Sequence, residues 1–228
     1  MRHLLFLLSF CTSALAGELI HEDFSGPDLP KGWTTGGRPH SWTIVDGTLQ
    51  GTCAPDDGHG PAVFAALQGH NLTLSYKVKL DDKGNCLMLV DGESAFGGSA
   101  HLLRVAISEK AINIAQDRGT PQSHVEQGAA VAAARKEGKT LPPPTPAQLA
   151  DPKFYRTERL ATAPLQTKPG EWLTVAVTIQ GNDVVVSVNG GKEIKATGTV
   201  MDTPKSRLVF LVGASKRVWI DDVHVSDL

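Results

Sequence analysis

Apolar residues recur at every second position along most of this chain, and a β-strand is the regular element whose side chains repeat with that period. In HNLTLSYKVKL, Leu72, Leu74, Tyr76, Val78 and Leu80 fall on one face, with Thr73, Ser75, Lys77 and Lys79 on the other. WLTVAVTIQ repeats the pattern with Leu173, Val175, Val177 and Ile179 against Thr174, Ala176, Thr178 and Gln180. A turn at Gly181-Asn182-Asp183 leads into DVVVSV, and Asn189-Gly190 then marks a hairpin, because both central residues of a type I′ turn need positive φ. Alternation predicts further strands over 18–24, 42–45, 48–53, 62–67, 85–90, 102–108, 111–116, 192–197, 207–212 and 217–225. About a dozen short strands with turn residues between them predict an all-β chain of two packed antiparallel sheets.

One stretch departs from the pattern. From Asp117 to Gly170 the chain loses alternation and gains alanine, proline and charge, including Pro142-Pro143-Pro144 and Pro146. Ser123 with Glu126 three residues later has the form of a capping box, Arg135 and Lys136 suit a last helical turn, and Gly138 is a stop. This predicts a short helix inside an insert at about 118–169, either functional or a cover over a sheet edge.

The N-terminus reads as a leader. Arg2 and His3 precede an apolar run from Leu4 to Leu15, and Ala14-Leu15-Ala16 gives a small-x-small cleavage pattern. The run is shorter than the roughly 20 residues of a bilayer span. The expectation is a signal peptide over 1–16, one domain over 17–228, export to the periplasm or the extracellular space, and no membrane span after cleavage. A net charge of −2 with no Lys/Arg cluster argues against nucleic acid as a partner. Cys53 and Cys86 remain, and they read equally as a disulfide or as two small buried residues.

The order of signals is HEDF, GW, WTIVDGTLQG, HLLRVAI, PGEWLTV, VVVSVNG and finally WIDDVHV. In that order and spacing the chain resembles the concanavalin A-like lectin/glucanase superfamily, and within it the secreted bacterial domains known as 3-keto-disaccharide hydrolase or glycoside hydrolase family 16-like. The resemblance implies an antiparallel jelly-roll β-sandwich and a carbohydrate partner. It departs at one point: family 16 glucanases carry ExDxE or ExDxxE on a strand, and no such string occurs here. Retaining glycosidases need two carboxyls about 5 Å apart, so endoglucanase chemistry lacks its carboxylate pair.

The residues that could carry chemistry are few. In HLLRVAIS, Leu103, Val105 and Ile107 face one way and Leu102, Arg104 and Ala106 the other. A two-residue turn at Glu109-Lys110 would set Val105 opposite Ile114 and Arg104 opposite Ala115, with Asn113 and Asp117 diagonal to Arg104. Arg104, Asn113 and Asp117 then form a polar patch suited to sugar hydroxyls, or an ordinary wet face. His59 in DDGHGPAV and His101 at the start of the Arg104 strand could supply acid/base groups if they converged with Asp117. His59, His101, Arg104 and Asp117 are therefore the catalytic candidates, with Asn113 and the loop residue Trp33 as substrate contacts. Aromatics make up only 6% of the chain, which weighs against a polysaccharide-stacking platform.

Asp221 in WIDDVHV alternates with Trp219, Val223 and Val225 onto the apparent core face. An inward carboxylate needs hydrogen bonds or a cation. Carbohydrate-binding jelly rolls imply a structural calcium here, with Glu22 and Asp23 as partners; backbone N–H bonds are the alternative. No cofactor is required. The function expected is an exported carbohydrate-directed protein, a hydrolase of 3-keto-glycosides or related small glycosides, or else a non-catalytic carbohydrate-binding or cell-envelope domain.

Overall fold

The computed structural model describes residues 17–37, 40–54, 60–213 and 217–228. The leader expected over 1–16 lies outside them. Two antiparallel sheets form a jelly-roll sandwich. The back sheet runs β13 (Ile194–Thr197), β12 (Asp183–Val188), β11 (Trp172–Gln180), β6 (Leu72–Leu80), β15 (Arg217–Asp227), β4 (Thr48–Thr52) and β3 (Trp42–Val45), with β1 (Glu18–Glu22) also against β15. The front sheet runs β10 (Arg156–Pro164), β9 (Ala111–Arg118), β8 (Ser99–Ser108), β7 (Asn85–Glu93), β14 (Lys205–Gly213), β5 (Ala62–Gly69) and β2 (Trp33–Gly36). Strands adjacent in sequence, such as β5 and β6 or β14 and β15, lie in different sheets, so the chain wraps around the core.

The predicted alternation fills that core. Leu72, Leu74, Tyr76, Val78 and Leu80 are all buried, as are Leu173, Val175, Val177 and Ile179. Each such aliphatic or aromatic side chain contributes about 1.5–3 kcal/mol on leaving water. Trp33, expected as an exposed sugar platform, is instead a core residue. Its ring meets Phe24 edge-on at 5.2 Å and lies parallel to Phe210 at 6.4 Å, and Phe210 meets Tyr76 edge-on at 5.1 Å. A tryptophan packed inside a sandwich gains apolar contact area that an exposed position forfeits. Cys53 and Cys86 are both buried and free, and burial pushes the Cys86 thiol up to about 12.

The insert is shorter than alternation implied, because β9 extends to Arg118 and Arg156–Pro164 forms an edge strand paired with it. Two effects hid β10. An edge strand outside the sandwich buries neither face fully, and a bulge at Leu160 breaks its period. What remains is α1 (Pro121–Lys136), the short α2 (Pro146–Ala150) and their connections. The capping box begins three residues before the expected one: Thr120 caps α1, with Pro121 in the first turn and Ser123 completing the box. No described helix is long and apolar enough to cross a membrane.

At the other end of the chain, Asp221 does not point inward. The β15–β6 register shifts between Asp221 and His224, and Asp222 sits at φ +47°. Val218 and Ile220 therefore share the core face with Val223 and Val225, while Trp219 and Asp221 stand outside it. A single bulge reversed the phase on which the expectation rested.

Among the described residues the hydroxyl of Tyr76 is buried without a hydrogen-bond partner. A buried unmade hydrogen bond costs about 1–3 kcal/mol. Tyr76→Phe should therefore keep or raise stability, by up to about 1 kcal/mol, read as an unchanged or higher urea midpoint; a clear fall would mean that the hydroxyl is bonded.

Candidate active site on the outer face of the front sheet

Both faces of the front sheet are partly dry. Toward the back sheet it contributes Met88, Val90, Leu103, Val105, Leu208 and Phe210 to the main core, and on its other face Ala62, Leu89, Val209 and Leu211 form a second buried cluster. This explains the near-continuous apolar runs in β7 and β14, since a strand covered on both sides does not alternate. Charged residues on that outer face sit beside an apolar floor, where they need partners.

The pairing register brings them together. Arg207 of β14, Asp91 of β7 and His101 of β8 are directly opposed across three strands. The next row holds Phe64, Val209, Leu89, Arg104 and Ala115. His101 and Arg104 are three residues apart, so on a regular strand they would face opposite ways. The β7–β8 register leaves Leu102 as an extra residue, and that bulge puts both side chains on the outer face. The predicted hairpin register is correct in this region: Arg104 opposes Ala115 and Val105 opposes Ile114.

Asp117 is a saturated carboxylate. Arg104 donates from Nε to Oδ1 at 2.7 Å and from Nη2 to Oδ2 at 2.6 Å, Tyr155 donates to Oδ2 at 2.9 Å, and Thr157 donates to Oδ1 at 2.8 Å. Both oxygens are doubly occupied, and the two bonds from Arg104 fix the orientation of its guanidinium. Burial alone would lower the Arg104 pKa, but the hydrogen bond and charge of Asp117 outweigh it and the net shift is upward. Burial, and then the Asp117 charge, raise the pKa of the Tyr155 phenol, which keeps its proton. The Nη1 group of Arg104 has no hydrogen bond among the described residues.

Asp91 is the second buried carboxylate, at 1% side-chain exposure. Its Oδ1 is 2.5 Å from His101 Nδ1, and its Oδ2 accepts from Arg207 Nε at 2.9 Å and Nη2 at 2.5 Å. The Arg207 guanidinium lies 4.7 Å over the Phe64 ring. A carboxylate can only accept, so His101 donates from Nδ1 and turns Nε2 away from Asp91. That nitrogen is unbonded among the described residues.

The insert delivers two more rings. His124 of α1 stacks on Tyr155 at 4.2 Å and 18°, and its ring is 5.9 Å from that of His101. His101, Asp117, His124 and Tyr155 line one small depression beside a cleft of 280 Å³ bordered by Phe96, Ala100, Asp117 and Arg118. Gly119 makes the junction possible. It has φ +98°, and a Cβ there would stand 2.5 Å from the Tyr155 backbone.

Of the sequence candidates, His101, Arg104 and Asp117 therefore share one face. Asn113 is also on it, accepting from Thr162 Oγ1 at 2.9 Å. His59 lies outside the described residues. Asp91, Arg207, His124, Tyr155 and Thr157 were missed. A lone Asp or Arg inside an otherwise apolar run, as in MLVDGE and RLVFLVG, was the available signal for the first two. Glu22, Asp23 and Asp221, the residues expected to hold calcium, are not gathered as one ligand set in the structure. Each carboxylate accepts a nearby backbone N–H, from Phe24, Ser25 and Asp222 respectively, and their oxygens do not gather within ligand distance of one another.

Residues 21–227 match the family described as the 3-keto-alpha-glucoside-1,2-lyase-like domain. The chain belongs to that family. Solved structures share its fold at low identity. A glycoside hydrolase family 16 endo-glucanase from Bacteroides ovatus is 11% identical with a TM-score of 0.60, covering 90% of this chain and 99% of its own. The carbohydrate-binding module CBM66 from Bacillus subtilis is 9% identical with a TM-score of 0.55, covering 88% and 99%. The CBM2 module of the evolved Dit of Lactobacillus casei BL23 phage J-1 is 10% identical with a TM-score of 0.60, covering 92% and 95%. No curated protein matches the chain.

Removing one member of a buried ion pair leaves the other charge stranded. Asp117→Ala should lower stability by about 3 kcal/mol, whereas Tyr155→Phe should cost only about 1 kcal/mol; both are read from urea unfolding, and an Asp117→Ala chain as stable as the parent would show that Arg104 does not depend on this carboxylate.

Proposed function

We propose that this outer face binds a glycoside oxidised to a ketone at C3 and expels its C1 substituent by elimination, with His101 as the base. The observation that carries the reading is the Arg207–Asp91–His101 chain, which fixes the imidazole tautomer and leaves Nε2 unbonded among the described residues, on the same sheet face as the Arg104 guanidinium that Asp117 locks along one edge. The family match supports the substrate class. The absence of the family 16 carboxylate motif fits a reaction that does not need it. A leader over 1–16 would suit work on glycans outside the cytoplasm.

The chemistry follows from the ketone. It acidifies the C2 proton and puts the C1–O bond where an enolate can break it. His101 Nε2 takes the C2 proton, and the C–H electron pair becomes a C2=C3 enolate with its negative charge on O3. Guanidinium N–H donors such as Arg104 Nη1 suit that oxygen, because fixed donors beside an apolar floor stabilise developing charge better than mobile water does. Asp91 stabilises the imidazolium that forms. The enolate then restores the C3 carbonyl, its electron pair makes C1=C2, the C1–O bond breaks, and the imidazolium proton goes to the departing oxygen. Addition of water across C1=C2 would complete a net hydrolysis.

The test is incubation with a methyl 3-keto-α-glucoside in D₂O, beside the unoxidised glucoside. Methanol should be released from the keto-sugar alone, with deuterium appearing at C2. His101→Ala should lower turnover by about 10²–10⁴-fold, and Arg104→Lys should lower kcat more than it raises KM. A sugar product that keeps its original C2 hydrogen after methanol release would exclude elimination, and binding without turnover would make this a carbohydrate-binding face only.

A further inference from the structure

The back sheet carries a second set of side chains with ligand chemistry, where the first strand meets the last. His21 of β1 stands directly opposite His224 of β15, with ring centroids 4.1 Å apart and planes tilted by 38°. Glu18 Oε2 is 3.4 Å from His21 Nδ1. One donor atom from each of Glu18, His21 and His224 lies within 4.8 Å of the other two. Among the described residues no other group of three histidine, cysteine or acidic side chains is gathered in this way.

A backbone irregularity produces the arrangement. Glu18 and His21 are three residues apart, which on a regular strand places them on opposite faces. Glu18 pairs with Ser226 and His21 with His224, so three steps on β1 match two on β15. The extra residue, Leu19, turns both side chains to the face where His224 stands. That face is the outer one, since Val223 and Val225 on either side of His224 are buried in the core. Glu18 and His21 are exposed, and His224 is half-buried.

We propose that Glu18, His21 and His224 bind a divalent transition-metal ion of the zinc type, which ties β1 to β15. Two imidazoles and one carboxylate make a nitrogen-rich donor set that suits Zn²⁺ or Cu²⁺ and not the all-oxygen preference of Ca²⁺. Zinc bonds nitrogen and carboxylate oxygen at about 2.0–2.2 Å, so tetrahedral ligand atoms stand about 3.3–3.6 Å apart, a separation that Glu18 and His21 already have. Three protein ligands leave the remaining position to water. The site occupies the opposite side of the sandwich from His101, so the ion acts on stability and takes no part in the elimination. A ligand held only by the folded chain shifts the folding equilibrium toward it. The Glu22, Asp23 and Asp221 carboxylates are not part of the set.

Calorimetric titration of the metal-free full chain with ZnCl₂ tests this, with CaCl₂ as comparison. One equivalent of zinc should bind and raise Tm, and calcium should do neither at that site. His21→Ala and His224→Ala should each weaken zinc binding at least about tenfold, the minimum expected when even an indirect supporter of a metal ligand is lost. His101→Ala should leave it unchanged. Zinc bound as tightly by His224→Ala as by the parent, loss of binding only in His101→Ala, or no binding by the parent would each overturn the proposal. The altered side chains lie at the surface, so matching circular dichroism and metal-free Tm separate lost binding from lost folding. Failure here leaves the His101 reading standing, because the two sites share no residue.

Discussion

A strand shows its residues to two faces in strict alternation, and one extra residue reverses every assignment beyond it. Three such reversals organise this molecule. The bulge at Leu102 puts His101 on the same face as Arg104, the bulge at Leu19 puts Glu18 beside His21, and the shift after Asp221 turns that carboxylate away from the core. Around Leu102 and after Asp221 the neighbouring hydrophobic residues keep their burial, so the sandwich tolerates the irregularity. At Leu102 and Leu19 the gain is a pair of polar side chains that regular alternation would have separated.

On the outer face of the front sheet this has an electrostatic consequence. Asp91 and Asp117 are nearly inaccessible carboxylates next to an apolar cluster, a position that costs several kcal/mol unless each charge is matched. Each is met by an arginine through its Nε edge and by a second group, His101 for Asp91 and Tyr155 for Asp117. The two carboxylates then differ in what they can transmit. Asp117 spends both oxygens on fixed donors and immobilises a cation. Asp91 reaches an imidazole, so its hydrogen bond fixes which ring nitrogen faces outward. The asymmetry of the face lies in this difference, since otherwise the two networks are built alike.

Alternation made the sandwich legible, because the strands with one wet face advertise it: β6 and β11 follow the pattern residue by residue. The β8–β9 register was equally legible, since a two-residue turn fixes it. What alternation concealed has three physical sources. Strands dry on both faces, such as β7 and β14, lose their period and with it the meaning of Asp91 and Arg207. The edge strand β10 buries neither face fully and carries a bulge at Leu160, which breaks its period. Contacts between distant segments, such as His124 on Tyr155, leave no local trace at all.

The insert illustrates that last limit. Helix α1 buries none of its residues, so packing of its own surface does not explain why it lies where it does. Its anchorage is at its first turn: Thr120 accepts from the Ser123 backbone, Ser123 Oγ donates to the Lys153 carbonyl, and His124 stacks on Tyr155. Every one of these contacts is adjacent to Gly119 and to the Asp117 network. The first turn cannot move without moving Tyr155, and through it the hydrogen bond to Asp117 that holds Arg104. The first turn of this solvated helix reaches the face through its root, which makes His124 and Tyr155 the contacts by which the insert meets the Asp117 network.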